Sequence, residues 1–517
     1  MFARWLAIAA VLVAAPVSAQ ELRIGLGAMA RSIDPHFYNS GPDVANMLHV
    51  FDKLVLQDEK QGLIPGLATS WKAIDDTTWE VKLREGVTWH DGSPFTAEDV
   101  AFTVKRAVDV PKSGSPFALY VSTIKAVEIK GPHLVHLKTA APAPLLPWDI
   151  STFGIISKKH GETGATEDYN SGKATIGTGP YKLVSFSPNE RIVLQRNGAY
   201  WGKKEPWTKV TFTLIANQAS RTAALLAGDV DAIDTVATQD IARIKSTAGL
   251  VTWPSLSNRI IYLIQDSHRD VAEHVRDVDG KPMTVNPLKD PRVRQALSLS
   301  IARDALVDRI MEGEGVPSGQ LVPPGLFGHD PSLKTPAQNI DAAKKLLADA
   351  GYPKGFQLTL HGSNGRYLND AKITQAIGQM FVRAGIATTV ETLPRAVFGT
   401  RGNEFGFSVG LFGWGTDTGE AASPLKSLIH TKGPGGAGAS NRGRYSNPKI
   451  DAVIVEALRT IDDKKREALL QQATRMAMED AAIIPLYFQV NTWATRGPIV
   501  WTPRTDEFTL AMSARPK

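Results

Sequence analysis

The sequence predicts an α/β protein of two or three domains joined by strands that cross between them. Strand-like alternation and helix-like periodicity interleave along the whole chain. Its 517 residues exceed what a single hydrophobic core usually organises. No proline-rich linker divides it, and the last strand patterns fall where they can return to an earlier sheet.

The N-terminus reads as a leader. Arg4 precedes the apolar run Trp5 to Ala15, and Val17-Ser18-Ala19 offers a small-residue cleavage site, so residues 1–19 are expected to be a secretory signal peptide. No later segment has the length and apolarity of a membrane-spanning helix. With 0 cysteines, disulfides, thiol chemistry and a lipid-modified N-terminal cysteine are excluded. The expected location is therefore the periplasm, without a lipid anchor. A hydrophobic content of 43% with 21% charged residues is ordinary for a globular protein. The formal charge of +6 is spread over a long chain with no dense Lys/Arg run, which argues against nucleic acid as a partner.

In chain order, Glu21 to Gly27 alternates as a first strand, and Ser32 to Pro35 is a turn. His36, Phe37 and Tyr38 follow it. They either cap the strand or, at a strand-to-helix junction, reach a ligand. A helix is expected over Val44 to Leu56, with Leu48, Phe51, Leu54 and Val55 on one face. Two short strands flank Glu85-Gly86, and Thr96 to Asp99 starts a helix with a hydroxyl cap and acids in its first turn. His133 and His136 lie in an alternating run on opposite faces, unsuited to one metal. Gly177-Thr-Gly-Pro-Tyr181 lacks the lysine and following helix of a phosphate loop, and introduces instead a hairpin, Tyr181–Phe186 with Arg191–Arg196. Thr208 to Ile215 is a strand, and Ala219 to Ala227 a helix ended by Gly228.

Asp290-Pro291 caps a helix through Val293, Ala296, Leu297 and Ile301. Helices are expected at Asp341–Ala350 and Ala371–Ala384, and strands at Phe356–Leu360 and Ala387–Thr392. Between Leu360 and Ala371 lies a polar loop containing Arg366 and Tyr367. Gly433 to Gly443 is low in complexity and expected to be mobile. Two helices, from Asn447-Pro448 and over Asp462–Ala481, lead to final strands at Ile483–Val490 and from Trp493.

Catalytic signatures are missing: no His-Glu-x-x-His pair, no Gly-x-Ser-x-Gly turn and no Walker lysine. The stretch Leu411 to Leu425 stands out instead. After a strand over Phe407–Phe412, it sets Trp414, Asp417 and Glu420 among Gly413, Gly415 and Gly419. An aromatic wall beside a carboxylate in a glycine-rich loop suits a ligand bearing an ammonium group. Residue types alone favour the plainer reading, a solvent loop whose tryptophan packs on the core.

Residues 63–110 resemble the signature region of bacterial family 5 extracellular solute-binding proteins, the dipeptide, oligopeptide, glutathione and nickel receptors of ABC importers. Gly177 to Lys182, Arg196 to Gly202, Asn286 to Leu297 and Arg444 to Asp451 match the family in the right order, and the resemblance runs from about residue 22 to 510. It implies a periplasmic binding protein-like fold (type II, cluster C), with two lobes around a hinge and an additional smaller domain. Residues 20–54, 175–262 and 486–517 would form a discontinuous first lobe, 55–174 the additional domain, and 263–485 the second ligand-binding lobe. Trp89 to Gly92 then becomes a fold-determining turn.

The resemblance also implies a site. The family's peptide binders carry Trp-x-x-Asp, whose aspartate takes the peptide ammonium, and Trp414-Gly-Thr-Asp417 matches it. An arginine before the next helix holds the ligand carboxylate in the dipeptide branch, and Arg366, with Tyr367, occupies that loop. The tail Thr418-Gly-Glu-Ala421 departs from the usual peptide-receptor pattern and is closer to the glutathione branch. Trp414, Asp417, Arg366, Tyr367, Glu420 and Tyr38 are the expected ligand contacts, with no catalytic residue, metal or cofactor. The expected partners are a small peptide-like solute and an inner-membrane ABC permease with its ATPase subunits, served by a monomer. Opines, oligosaccharides and a nickel chelate are alternative ligands on the same fold, and a secreted hydrolase is the alternative class.

Overall fold

A computed structural model of the protein describes residues 20–114 and 117–517, so the expected signal peptide lies outside the described residues. Its spine is an antiparallel pair of long strands, Leu250–Gln265 and Ile484–Arg496, within a 12-stranded sheet. Beside Ile484–Arg496 the sheet continues through Ala232–Ile233, Glu21–Leu26, Lys209–Leu214 and the hairpin Arg191–Arg196 with Tyr181–Ser187. Beside Leu250–Gln265 it continues through Val409–Trp414 and Gln357–Asn364 to Val275–Arg276, with Ala387–Pro394 also paired to Gln357–Asn364. The two long strands therefore run from one lobe into the other.

Side-chain alternation explains the layers. In the second lobe Ile261, Leu263 and Leu411 point into one core, shared with the helices Pro291–Leu299 and Asp370–Arg383. Ile260, Tyr262, Ile264 and Phe412 point into another, shared with Pro448–Ala457 and Asp463–Glu479. A sheet covered on both faces needs apolar residues at successive positions, which these strands have. On the other side one core runs from Leu22 to Ala514 and also takes in the antiparallel sheet Ala68–Asp75, Thr78–Leu83, Leu134–Thr139 and Ile124–Gly131.

Most predicted elements are present, including the helix Ala97–Ala107, where the Thr96 N–H donates to Asp99 at 2.9 Å. Three differences stand out. The first helix covers only Gly41–Met47, and Val55–Gln57 is a strand. Between them the chain pairs with the Gly177–Gly179 turn: Gly179 donates to the Val50 carbonyl at 2.9 Å, and the buried Asp52 accepts from Thr178 at 2.9 Å and Trp201 at 2.8 Å. A Cβ at Gly177 would overlap that Val50 carbonyl, so the glycines of this motif serve chain-to-chain contact.

The strand Gln357–Asn364 runs further than its apolar part, consuming half of the expected polar loop. The low-complexity stretch after Gly433, expected to be mobile, is pinned: Gly438 donates to Lys426 at 2.8 Å and Ser440 to Ser427 at 2.9 Å.

The C-terminus is tied to the N-terminal region by His49. Its Nδ1 lies 3.0 Å from the Asn46 carbonyl, and its Nε2 accepts from the Ala511 N–H at 2.9 Å. Both contacts suit the neutral ring protonated on Nδ1; a second proton would face the Ala511 donor. Burial accordingly pulls its pKa down from 6.5 to about 4. Because the folded value lies below the unfolded one, the stabilisation is complete above pH 6.5 and is lost as pH falls towards 4. The loss is worth about 3 kcal/mol at most. Urea unfolding at a series of pH values should show stability falling across that window, with His49→Gln flattening part of the slope.

Candidate functional site

The strands Gln357–Asn364, Ala387–Pro394 and Val409–Trp414 are parallel neighbours, so the loops leaving their C-terminal ends emerge along one edge. That edge is where open α/β sheets place ligands. It brings Arg366, Arg395 and Asp417 to one side of the second lobe from separate loops. Lone sequence spacing could not have joined them.

The bulge in the crossing strands supplies the floor. Leu256 pairs with Val490 and Ile260 with Phe488, so Ser257, Asn258 and Arg259 stand opposite a single residue. A bulge redirects side chains that a regular strand would bury. The amide of Asn258 donates to the Thr416 carbonyl at 2.9 Å and to Gln61 at 2.8 Å. Arg259 pairs with Glu507 at 2.7 Å, and Ser257 donates to the same carboxylate at 2.7 Å.

The glycines of the Leu411 to Leu425 stretch admit the protein's own side chains. A Cβ on Gly413 would come within 2.7 Å of the Tyr367 ring, one on Gly415 within 3.1 Å of Arg259, and one on Gly419 within 2.9 Å of Gln61. Tyr367 lies over the strand, donating to the Gly413 carbonyl at 3.3 Å. Trp414 is half-buried against the second-lobe core, and its indole N–H has no acceptor among the described residues.

Asp417 is an exposed acid on the loop that follows Val409–Trp414. Its side chain reaches solvent-accessible space, yet the surrounding walls strip much of its hydration. Burial is the main influence on it and raises its carboxyl above the ordinary value, while Arg259 and a hydrogen bond from Tyr120 at 3.2 Å lower it. Groups from outside the second lobe hold its backbone: Gln57 donates to the Asp417 carbonyl at 3.1 Å and Gln61 to that of Thr416 at 3.0 Å. Arg366 is exposed, and its guanidinium lies over the Tyr367 ring at 4.9 Å with no hydrogen-bond acceptor among the described residues. Desolvation lowers its pKa, Tyr367 opposes that, and Arg259 and Arg395 lower it further. Arg259 thus lies within electrostatic reach of both Asp417 and Arg366.

The other expected contacts sit elsewhere. Glu420 is fully buried and ion-paired to the equally buried Arg466, whose guanidinium also lies over Phe327 at 4.3 Å and Trp148 at 4.9 Å. It belongs to a cluster in which Arg466 joins Glu420 to Trp148 and Phe327. Tyr38 is half-buried and stacks under Arg31 at 3.7 Å. Lys53, Tyr120, Asn258 and Arg259 were missed by sequence reasoning. The signal for Asn258 and Arg259 was a polar interruption inside an otherwise apolar strand. No local pattern marked Lys53. Among the described residues no group of three or more His, Cys, Asp or Glu is placed to hold a metal ion.

Removing one partner of a fully buried ion pair strands the other charge. Glu420→Ala should therefore lower the unfolding free energy by about 3–5 kcal/mol, measured by urea denaturation, because the exposed Asp463 at 3.1 Å is a weaker partner for Arg466.

Comparison with known proteins agrees with this architecture. The oligopeptide-binding protein OppA of Salmonella typhimurium is 26% identical over 499 residues, covering 90% of this chain and 86% of the relative. The glutathione-binding protein GsiB of Escherichia coli O1:K1 is 27% identical over 480 residues, covering 91% and 89%. The fold is shared with the periplasmic binding protein DppA from Helicobacter pylori in complex with the peptide STSA, at a TM-score of 0.79 and 22% identity over 96% of this chain and 98% of that one. The sequence profile of bacterial extracellular solute-binding proteins, family 5 (middle region), matches residues 62–436. With two lobes bridged by a shared sheet and a profile match across most of its length, the chain belongs to the bacterial extracellular solute-binding proteins of family 5.

Proposed function

We propose that this chain is the periplasmic substrate-binding protein of an ABC importer, acting as a monomer that closes over a small peptide-like solute and delivers it to a membrane permease with its ATPase subunits. The observation that carries the reading is the pair of opposite charges at one sheet edge. Asp417 has the Tyr120 hydroxyl as its side-chain hydrogen-bond partner, and the Arg366 guanidinium has no acceptor among the described residues. A zwitterion offers each the counter-charge it lacks: an ammonium for Asp417, and a carboxylate that Arg366 grips with two parallel hydrogen bonds. Trp414 and Tyr367 provide apolar walls beside these charges. Relatives named for oligopeptides and glutathione, and a structural neighbour holding a peptide, fit the same ligand class. Their periplasmic location agrees with a chain in which no helix of the described residues is long and apolar enough to cross a membrane.

The contacts of Gln57, Gln61 and Tyr120 with the Thr416–Asp417 loop tie the second lobe to the 55–174 segment across the site. They must separate for a solute to enter. Bending at the Ser257–Arg259 bulge provides the hinge, and the ligand favours closure by touching both sides. In this reading no bond is made or broken.

Titration calorimetry against dipeptides, tripeptides, glutathione, opines, sugars and nickel chelates tests the proposal. A peptide-class ligand should bind, and Asp417→Asn should weaken it by about 2–5 kcal/mol, some 30-fold or more. Binding confined to sugars or metal chelates, or peptide affinity unchanged in Asp417→Asn, overturns the assignment. Turnover of the bound peptide by purified protein would favour the hydrolase instead.

A further inference from the structure

The charges around the cleft do not balance, and the imbalance specifies the solute more narrowly. Five cations stand at the junction of the lobes: Lys53, Arg259, Arg366, Arg395 and Arg504. Two of them are matched within the protein. Arg259 is held by Glu507 at 2.7 Å, and Arg504 by Asp506 at 2.6 Å. Asp506 is fully engaged, since it also takes the Phe508 N–H at 2.9 Å. What remains is the buried Lys53 with the exposed Arg366 and Arg395 against Asp417.

Lys53 is an unusual residue to leave unmatched. It is 5% exposed, and among the described residues its ammonium has no hydrogen-bond acceptor or ion-pair partner. The Phe508 ring centroid lies 6.0 Å from Nζ. A buried ammonium is retained at a cost unless something completes its shell. The charged groups facing it are Asp506 and Arg504 on the C-terminal segment and Asp417 on the second-lobe loop. The first two are paired to each other, and the third is the acid assigned to the ligand ammonium.

We propose that Lys53 is a second anion-binding group of the cleft, and that the solute is an acidic short peptide carrying one ammonium and two carboxylates. This rests on the peptide-receptor reading and refines it. Asp417 takes the ammonium, Arg366 one carboxylate and Lys53 the other. The ligand's second carboxylate then offsets part of the positive excess on this side of the site. Burial, the largest influence, pulls the Lys53 pKa down to about 7, with Asp506 and Asp417 opposing and Arg504 assisting. Near pH 7.5 a sizeable fraction of the empty protein therefore holds it neutral. A carboxylate arriving beside it raises its proton affinity, so binding takes up a proton.

The experiment compares Ala-Glu with Ala-Gln and Ala-Asp with Ala-Asn, pairs that differ only in the second carboxylate. Titration calorimetry is run at pH 7.5 in two buffers of different ionisation enthalpy. Wild type should bind each acid at least 10-fold more tightly than its amide, with fractional proton uptake seen only for the acids. In Lys53→Met the acid-to-amide ratio should fall to about 1 and the uptake should vanish. An equal or amide-favouring ratio in wild type overturns the proposal and leaves the peptide receptor standing, as does a ratio that survives in Lys53→Met. Failure of every peptide to bind removes both. The wild-type comparison needs no variant, so it decides even if Lys53→Met does not fold.

Discussion

The pairing of Leu250–Gln265 with Ile484–Arg496 is the constraint on which the rest of the structure depends. A 16-residue strand extends about 50 Å, long enough to serve two lobes. Because the pair is antiparallel and continuous, each lobe's sheet grows from one end of it. The ladder is interrupted between Leu256 and Ile260 and again between Ile261 and Tyr262. At the first of these the side chains of Ser257 to Arg259 bind the C-terminal segment through Glu507 and the Thr416 loop through its carbonyl. In the proposed function, hinge and floor of the site are then the same residues.

The site also follows a rule about desolvated charge. Around the cleft, buried ions fall into those satisfied by the protein and those that are not. Glu420 with Arg466, Arg259 with Glu507 and Arg504 with Asp506 are satisfied and act as scaffold. Lys53 is the buried exception, whereas Asp417 and Arg366 are exposed beside it at the boundary between lobes. Leaving a buried charge without a partner destabilises a protein, and in the function proposed above a ligand completes these unmatched groups. This separates Glu420 from Asp417, which the sequence set only three positions apart in one glycine-rich loop.

Glycines tell a similar story. Gly413, Gly415 and Gly419 looked suited to backbone approach by a ligand. They are required instead by Tyr367, Arg259 and Gln61, which occupy the space where a Cβ would sit. The close approach was legible in the sequence, but its occupant was not. A glycine reports that something comes near without saying whether it is the protein or its solute.

By itself the sequence determined the class of fold, most helices with their caps, and the strand ends from which Arg366 and Asp417 emerge. These depend on local periodicity, turn chemistry and motif, which one chain segment carries alone. It overextended the first helix, because Asp52 is claimed by Thr178 and Trp201 from a distant turn. It also passed over Leu250–Gln265, because the polar residues of the bulge broke the alternation that marks a strand. Only the tertiary structure decided which charges are paired. Glu507 and Arg466 lie 248 and 46 residues from the groups they neutralise. Whether an ion is scaffold or ligand contact depends on what the fold places within a few ångströms of it, and no local pattern records that.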